Sequence, residues 1–95
     1  MRKGFVHILT NKPYGTLYMG VTSNLHGRLF QHRNGTASAF TKRYGLTRLV
    51  WYEVHDLVAA AIARETTIKR WKRDWKIELI EQLNPKWEDI AYTLE

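Results

Sequence analysis

The chain has no cysteine, which removes disulfides, thiolate nucleophiles and cysteine-ligated zinc from its chemistry. The redox compartment stays open on that count. Acidic residues are the minority: nine Asp and Glu stand against fifteen Lys and Arg, a formal charge of +6 with a pI near 9.8. Such a balance points to a polyanionic partner. No apolar run approaches a membrane span, and no long basic helix carries an unbroken apolar face, so a membrane surface ranks well below nucleic acid. Met1-Arg2-Lys3-Gly4 is basic but leads into only a short apolar run, without a signal-peptide core or cleavage site, and the cytoplasm is the expected location. There is no internal repeat, low-complexity segment or linker. With 95 residues, 44% of them hydrophobic and 25% charged, the sequence fits a single domain over 1–95 with one modest core. Four Trp, five Tyr and three Phe are expected to supply much of that core.

Alternation predicts strands over Phe5–Leu9 and Thr16–Val21, joined as an antiparallel hairpin by the turn residues Asn11-Lys12-Pro13-Tyr14-Gly15. Thr22, Ser23 and Asn24 offer N-caps for a helix from Leu25 to about Arg33, which ends before Asn34-Gly35. Residues Thr36 to Gly45 read as a loop mixing aromatic and cationic side chains. A third strand fits Leu46 to Val54. Helical residues then dominate from Leu57 to Leu83, with Asp56 as cap, a break near Asp74, and a stop where Asn84 precedes Pro85. The tail from Lys86 to Glu95 is expected to dock as a short helix through Trp87, Ile90 and Leu94.

Tyr18 and Gly20 stand in the second strand, and Arg28 and His32, four residues apart, share one helix face. A phenol can take a proton from water, a guanidinium can hold a phosphate oxygen, and an imidazole can relay protons or bind phosphate. Each residue type is commoner in packing or on a solvated surface, so the combination carries the case. In the long helical stretch Val58, Ala61, Ile62, Ile68 and Trp75 mark a buried stripe on which Glu65 also falls. A carboxylate there is either a partly buried ion pair, with Lys69 or Arg28 as partner, or a ligand for a hard cation completed by phosphate and water. Lys69, Arg70, Lys72, Arg73 and Lys76 form one basic cluster, and Arg33, Lys42, Arg43 and Arg48 a second. His7, His26, His32 and His55 lack the spacing of a zinc site.

The run Thr16-Leu17-Tyr18-Met19-Gly20-Val21-Thr22-Ser23-Asn24-Leu25, followed by Arg28 and His32, resembles the GIY-YIG nuclease domain. Tyr18-Met19-Gly20 stands where that family has its second motif and Phe5-Val6-His7 where it has its first. Phe40-Thr41-Lys42-Arg43-Tyr44, Ala63-Arg64-Glu65 and Trp75-Lys76-Ile77-Glu78-Leu79-Ile80 are similar to its small stand-alone bacterial members, so the resemblance covers nearly the whole chain. It implies an α+β fold, a small three-stranded antiparallel sheet flanked by helices, and metal-dependent endonuclease hydrolysis of a DNA strand. By that resemblance Tyr18 is the general base toward water, Arg28 stabilises charge on the phosphate, Glu65 holds a single Mg²⁺ or Mn²⁺, and His32 assists Tyr18 or contacts phosphate. Asn84 matches a late active-site asparagine. His7 replaces the tyrosine that usually ends the first motif; an imidazole can hydrogen-bond in its place, or His7 is a satisfied, partly buried histidine. A free phenol ionises near pH 10, so a tyrosine base needs the field of a cation or metal.

By the resemblance, many relatives carry a separate DNA-binding domain, and none is expected within these 95 residues. The expectation is therefore structure-selective cleavage of flaps, branches or damaged DNA, with Lys42, Arg43, Lys69, Lys72 and Arg73 contacting the nucleic acid, and a homodimer or partner protein adding selectivity. The competing readings are a nucleic-acid-binding module without turnover, or a subunit of a nuclease or repair complex, which would expose apolar surface around Trp71, Trp75 or Trp87.

Overall fold

A computed structural model describes residues 2–36 and 38–94. Met1, Ala37 and Glu95, which fall within the expected basic N-terminus, the 36–45 loop and the tail helix, lie outside the described residues. Strands β1 (Gly4–Thr10) and β2 (Leu17–Thr22) are followed by helices α1 (Leu25–Arg33) and α2 (Ala39–Tyr44), strand β3 (Arg48–His55), and helices α3 (Val58–Lys69) and α4 (Arg73–Leu83). The sheet is antiparallel throughout with order β2-β1-β3, as expected of the α+β class.

β1 is the central strand, and it is buried on both faces. Val6 and Ile8 point into a cluster with Val50, Trp51, Ala61, Ile68, Ile80 and Trp87, which α3 and α4 cover. Leu9 joins Leu25, Leu29, Leu46, Leu49 and Ile90 on the opposite face, under α1, with Phe5 and Tyr18 packed against them. Helices on both faces thus make three layers, which is why β1 reads as a nearly continuous apolar run. A bulge between Ile8 and Leu9 shifts the β1–β3 register.

Asn24 caps α1, its side-chain oxygen accepting from the Gly27 amide at 3.0 Å. The segment read as a loop over 36–45 instead contains α2. Ser38 caps it by accepting from the Thr41 amide at 3.0 Å, and Gly45, with φ of 64°, closes it in the left-handed conformation that only glycine adopts without strain. The long helical stretch breaks at residues 70–72, near Asp74 as expected; Asp74 itself sits in the first turn of α4, where a carboxylate complements the helix dipole. Asp56 does not cap α3. Leu57 occupies the cap position without a side-chain hydrogen bond, and the Val58 amide donates to the Arg2 carbonyl at 3.1 Å. On the expected stripe Ala61 and Ile68 are fully buried, whereas Ile62 and Trp75 are half exposed. In the tail only Ala91–Thr93 forms a 3₁₀ turn, but Trp87 and Ile90 dock as expected.

Candidate active site

The β1–β2 register sets His7 directly across from Gly20 and Leu9 across from Tyr18. Because side chains alternate along a strand, His7, Tyr18 and Gly20 lie on the α1 face of the sheet. α1 adds His32 from above. The Tyr18 and His32 rings meet edge to face with centroids 5.5 Å apart, and His7 meets His32 in the same manner at 6.3 Å. Gly20 makes this possible: a Cβ there would stand 3.1 Å from Cε1 and 3.2 Å from Nε2 of His7.

Both imidazoles are buried, His7 at 1% and His32 at 2% exposure. Burial disfavours the charged form of each. It depresses His7 to about 4, with His32 and Arg28 adding repulsion; the Phe5 backbone pulls the other way without making a hydrogen bond of ordinary geometry. His32 is also lowered, first by burial and then by Arg28. Arg28 is therefore electrostatically coupled to the pair, and near neutrality both rings are neutral.

His32 is held from α2. Its Nδ1 lies 2.9 Å from Thr41 Oγ1, and Thr41 Oγ1 in turn donates to the Ser38 carbonyl at 3.2 Å. Thr41 Oγ1 also lies 3.0 Å from Ser38 Oγ; where its proton goes to Ser38, Thr41 Oγ1 is the acceptor, a proton sits on His32 Nδ1, and Nε2 keeps its lone pair. Nε2 of His32 and both nitrogens of His7 are buried without any hydrogen-bond partner. Three such atoms form one desolvated polar cluster in the core, an arrangement uncommon in native folds. Of the two alternatives for His7, a satisfied, partly buried histidine does not fit: the strand's central place buries it fully, and neither ring nitrogen has a hydrogen-bond partner.

Arg28 is half-buried and opens onto a cleft shared with Arg2, Thr22, Ser23, Val58 and Ile62. That cleft joins α1 to α3, and Glu65 lies one turn beyond Ile62. Its side chain is 17% exposed and pairs with the Lys69 ammonium at 3.4 Å, so the ion-pair alternative is present in the fold. Among the described residues no group of three or more His, Cys, Asp or Glu could hold a metal. Glu65 therefore fits a hard divalent cation only as a single carboxylate whose other ligands are water and substrate, a donor set Mg²⁺ accepts. The site of Lys69 Nζ beside it marks a place where positive charge is already favoured.

The remaining predicted residues are dispersed. Lys42 and Arg43 are exposed on α2. Arg73 is committed to the fold, donating to the Tyr14 and Gly15 carbonyls, each at 2.7 Å, while Lys72 is exposed at the α3–α4 break. Asn84 is buried and fully used: its amide donates to the carbonyls of Val50 and Glu88 at 3.0 and 2.7 Å, and its oxygen accepts from the Glu88 amide at 3.0 Å. It holds the tail against β3, at the opposite sheet edge from Tyr18. His55 pairs with Glu53 at 2.7 Å.

Thr41 and Ser38 were not singled out from the sequence. The available signal was the cap pattern Ser38 to Gly45, which places Thr41 one turn after the cap and toward His32.

The GIY-YIG catalytic domain model matches residues 3–78. The chain is 38% identical over 87 residues to a UPF0213 protein of Syntrophus aciditrophicus, covering 90% of this chain and 98% of that one. It is 33% identical over 82 residues to a UPF0213 protein of Staphylococcus saprophyticus, covering 86% and 99%. The solution NMR structure of the UPF0213 protein BH0048 from Bacillus halodurans shares the fold, with a TM-score of 0.58 at 25% identity over 94% of each chain.

Proposed function

Because the chain belongs to the GIY-YIG family, we propose that it is an endonuclease hydrolysing DNA phosphodiester bonds with the aid of Mg²⁺ or Mn²⁺, selecting its substrate by structure rather than sequence. The observation that carries this reading is the convergence of Tyr18, His32 and His7 on one sheet face, within the field of Arg28. In the proposed step Tyr18 acts as the phenolate, its own proton having been given up to solvent, and accepts a proton from the attacking water. Arg28 holds a phosphate oxygen in the cleft between α1 and α3, and its fork geometry suits a non-bridging pair of oxygens. His32, neutral and in edge-to-face contact with Tyr18, holds the phenol ring in place, and His7 keeps the layer beneath it uncharged. A divalent cation at Glu65 would neutralise charge on the phosphate and leaving oxygen. Lys42, Arg43 and Lys72 supply long-range attraction to the backbone.

The buried, unpartnered His7 in place of a tyrosine favours a second reading, a module that binds nucleic acid without cleaving it. Nicking of supercoiled plasmid in Mg²⁺ or Mn²⁺ separates the two. The nuclease reading expects nicked circles from wild type, and retarded but intact plasmid across both metals would favour the binding module.

A further inference from the structure

Burial along α2 is lopsided. Thr41 faces inward to hold His32, whereas Phe40 and Tyr44 are 47% and 44% exposed. Their rings touch, with centroids 4.8 Å apart, and Phe40 continues to the Tyr18 ring at 6.3 Å with the planes tilted by 32°. The Arg43 guanidinium lies over the Tyr44 ring, 5.6 Å from its centroid. An aromatic strip therefore runs from the candidate catalytic phenol out to solvent, in a chain small enough that apolar area is scarce for its own core.

Charge indicates what covers this strip. No Asp or Glu precedes Glu53 in the sequence, while eight Lys and Arg do, so β1, β2, α1 and α2 contain no carboxylate at all. All nine acidic residues lie in the other part of the chain. Lys42 and Arg43 are exposed on α2, which has no carboxylate of its own, and Arg43 lies over the Tyr44 ring; the carboxylate that reaches this side, Asp89, is taken up by Arg33 at 2.7 Å. An apolar peptide would match the rings but not the cations around them. A nucleotide offers both a π face and a phosphate.

We propose that Phe40 and Tyr44 form a stacking platform for unpaired bases next to the scissile phosphate, with Lys42 and Arg43 on the adjoining phosphates. The proposal rests on the nuclease reading for its ligand and names the part of the substrate that is recognised: a single-stranded segment such as a flap or fork presents. Bases within a duplex keep their faces in the stack, so the platform distinguishes free bases from paired ones.

Equilibrium binding in EDTA tests this, using fluorescein-labelled oligothymidylate, a strand of equal charge with abasic sites, a flap and a blunt duplex. Phe40→Ala and Tyr44→Ala should each weaken binding of oligothymidylate and flap roughly 5- to 100-fold and change duplex affinity by less than about two-fold. Phe40→Leu keeps an apolar contact to Tyr18 but has no π face, and should fall with the alanine variant. Thermal melts of the variants report whether each is folded. A wild type that binds none of the four, or the abasic strand as tightly as oligothymidylate, overturns the platform. So do equal losses on duplex and single strand, or Phe40→Leu behaving as wild type. Nothing is cut in EDTA, so these outcomes are independent of catalysis. A strand bound through the rings yet never cleaved in Mg²⁺ or Mn²⁺ would contradict the nuclease reading alone.

Discussion

His7 and His32 meet edge to face, with ring centroids 6.3 Å apart, and between them hold three buried nitrogens with no partner. The pair is stable only while both rings are uncharged. Its cost appears when protons are added.

Above about pH 6.5 His7 is neutral both folded and unfolded and contributes nothing to the pH dependence. Below that the unfolded chain takes up a proton that the folded chain, with His7 held at about 4, refuses. Stability must therefore fall as the pH drops from 6.5 toward 4, by about 3 kcal/mol for this group, and level off below. Urea denaturation across pH 7 to 4 measures it. His7→Phe should flatten the profile, and an unchanged slope in that variant would place the acid sensitivity elsewhere.

Thr41 Oγ1 is the hydrogen-bond partner that fixes His32, and the arrangement in which it accepts, its own proton going to Ser38, is the one the following variants test. Thr41→Val leaves the Nδ1 proton buried and unpartnered, which should cost about 1–3 kcal/mol of stability. It should also shift His32 toward the other tautomer, visible in the imidazole ¹⁵N shifts, whereas Thr41→Ser restores the hydroxyl and the wild-type tautomer. Observing Nε2–H in the wild type would refute the assignment.

Gly20 leaves room for the edge of His7. Gly20→Ala puts a methyl 3.1 Å from His7 Cε1, and neither ring nor strand can withdraw far in a packed layer. The expected destabilisation is about 1–3 kcal/mol. It should shrink in combination with His7→Ala, so additive effects in the double-mutant cycle would deny that the two residues meet.

Much of this was legible in the sequence because it rests on local signals. Alternation with turn chemistry located β1 and β2, Asn24 marked the start of α1, and the i,i+4 spacing placed Arg28 and His32 together. What escaped depends on tertiary context. Residues 39–44 are too few to show helical periodicity, so α2 was visible only through Ser38 and Gly45. Asp56 looked like a cap because the alternative, a carbonyl from Arg2, belongs to a distant part of the chain. Ile62 is one position round α3 from Ala61 and falls at the edge of the covered face, Trp75 lies on α4 beyond the break at residues 70–72, and of the stripe only Ala61 and Ile68 are fully buried. The role of Asn84 as a clasp for the tail could be seen only once Val50 and Glu88 were brought beside it.

The measurement that reaches furthest is cleavage of an end-labelled flap DNA in Mg²⁺ and Mn²⁺ by wild type, Tyr18→Phe and Glu65→Ala, with binding of the same DNA followed in EDTA. The account predicts that wild type cuts, that Tyr18→Phe loses roughly 10²-fold or more in rate while binding nearly as before, and that Glu65→Ala is inactive in either metal. Cleavage by Tyr18→Phe at the wild-type rate would contradict the account.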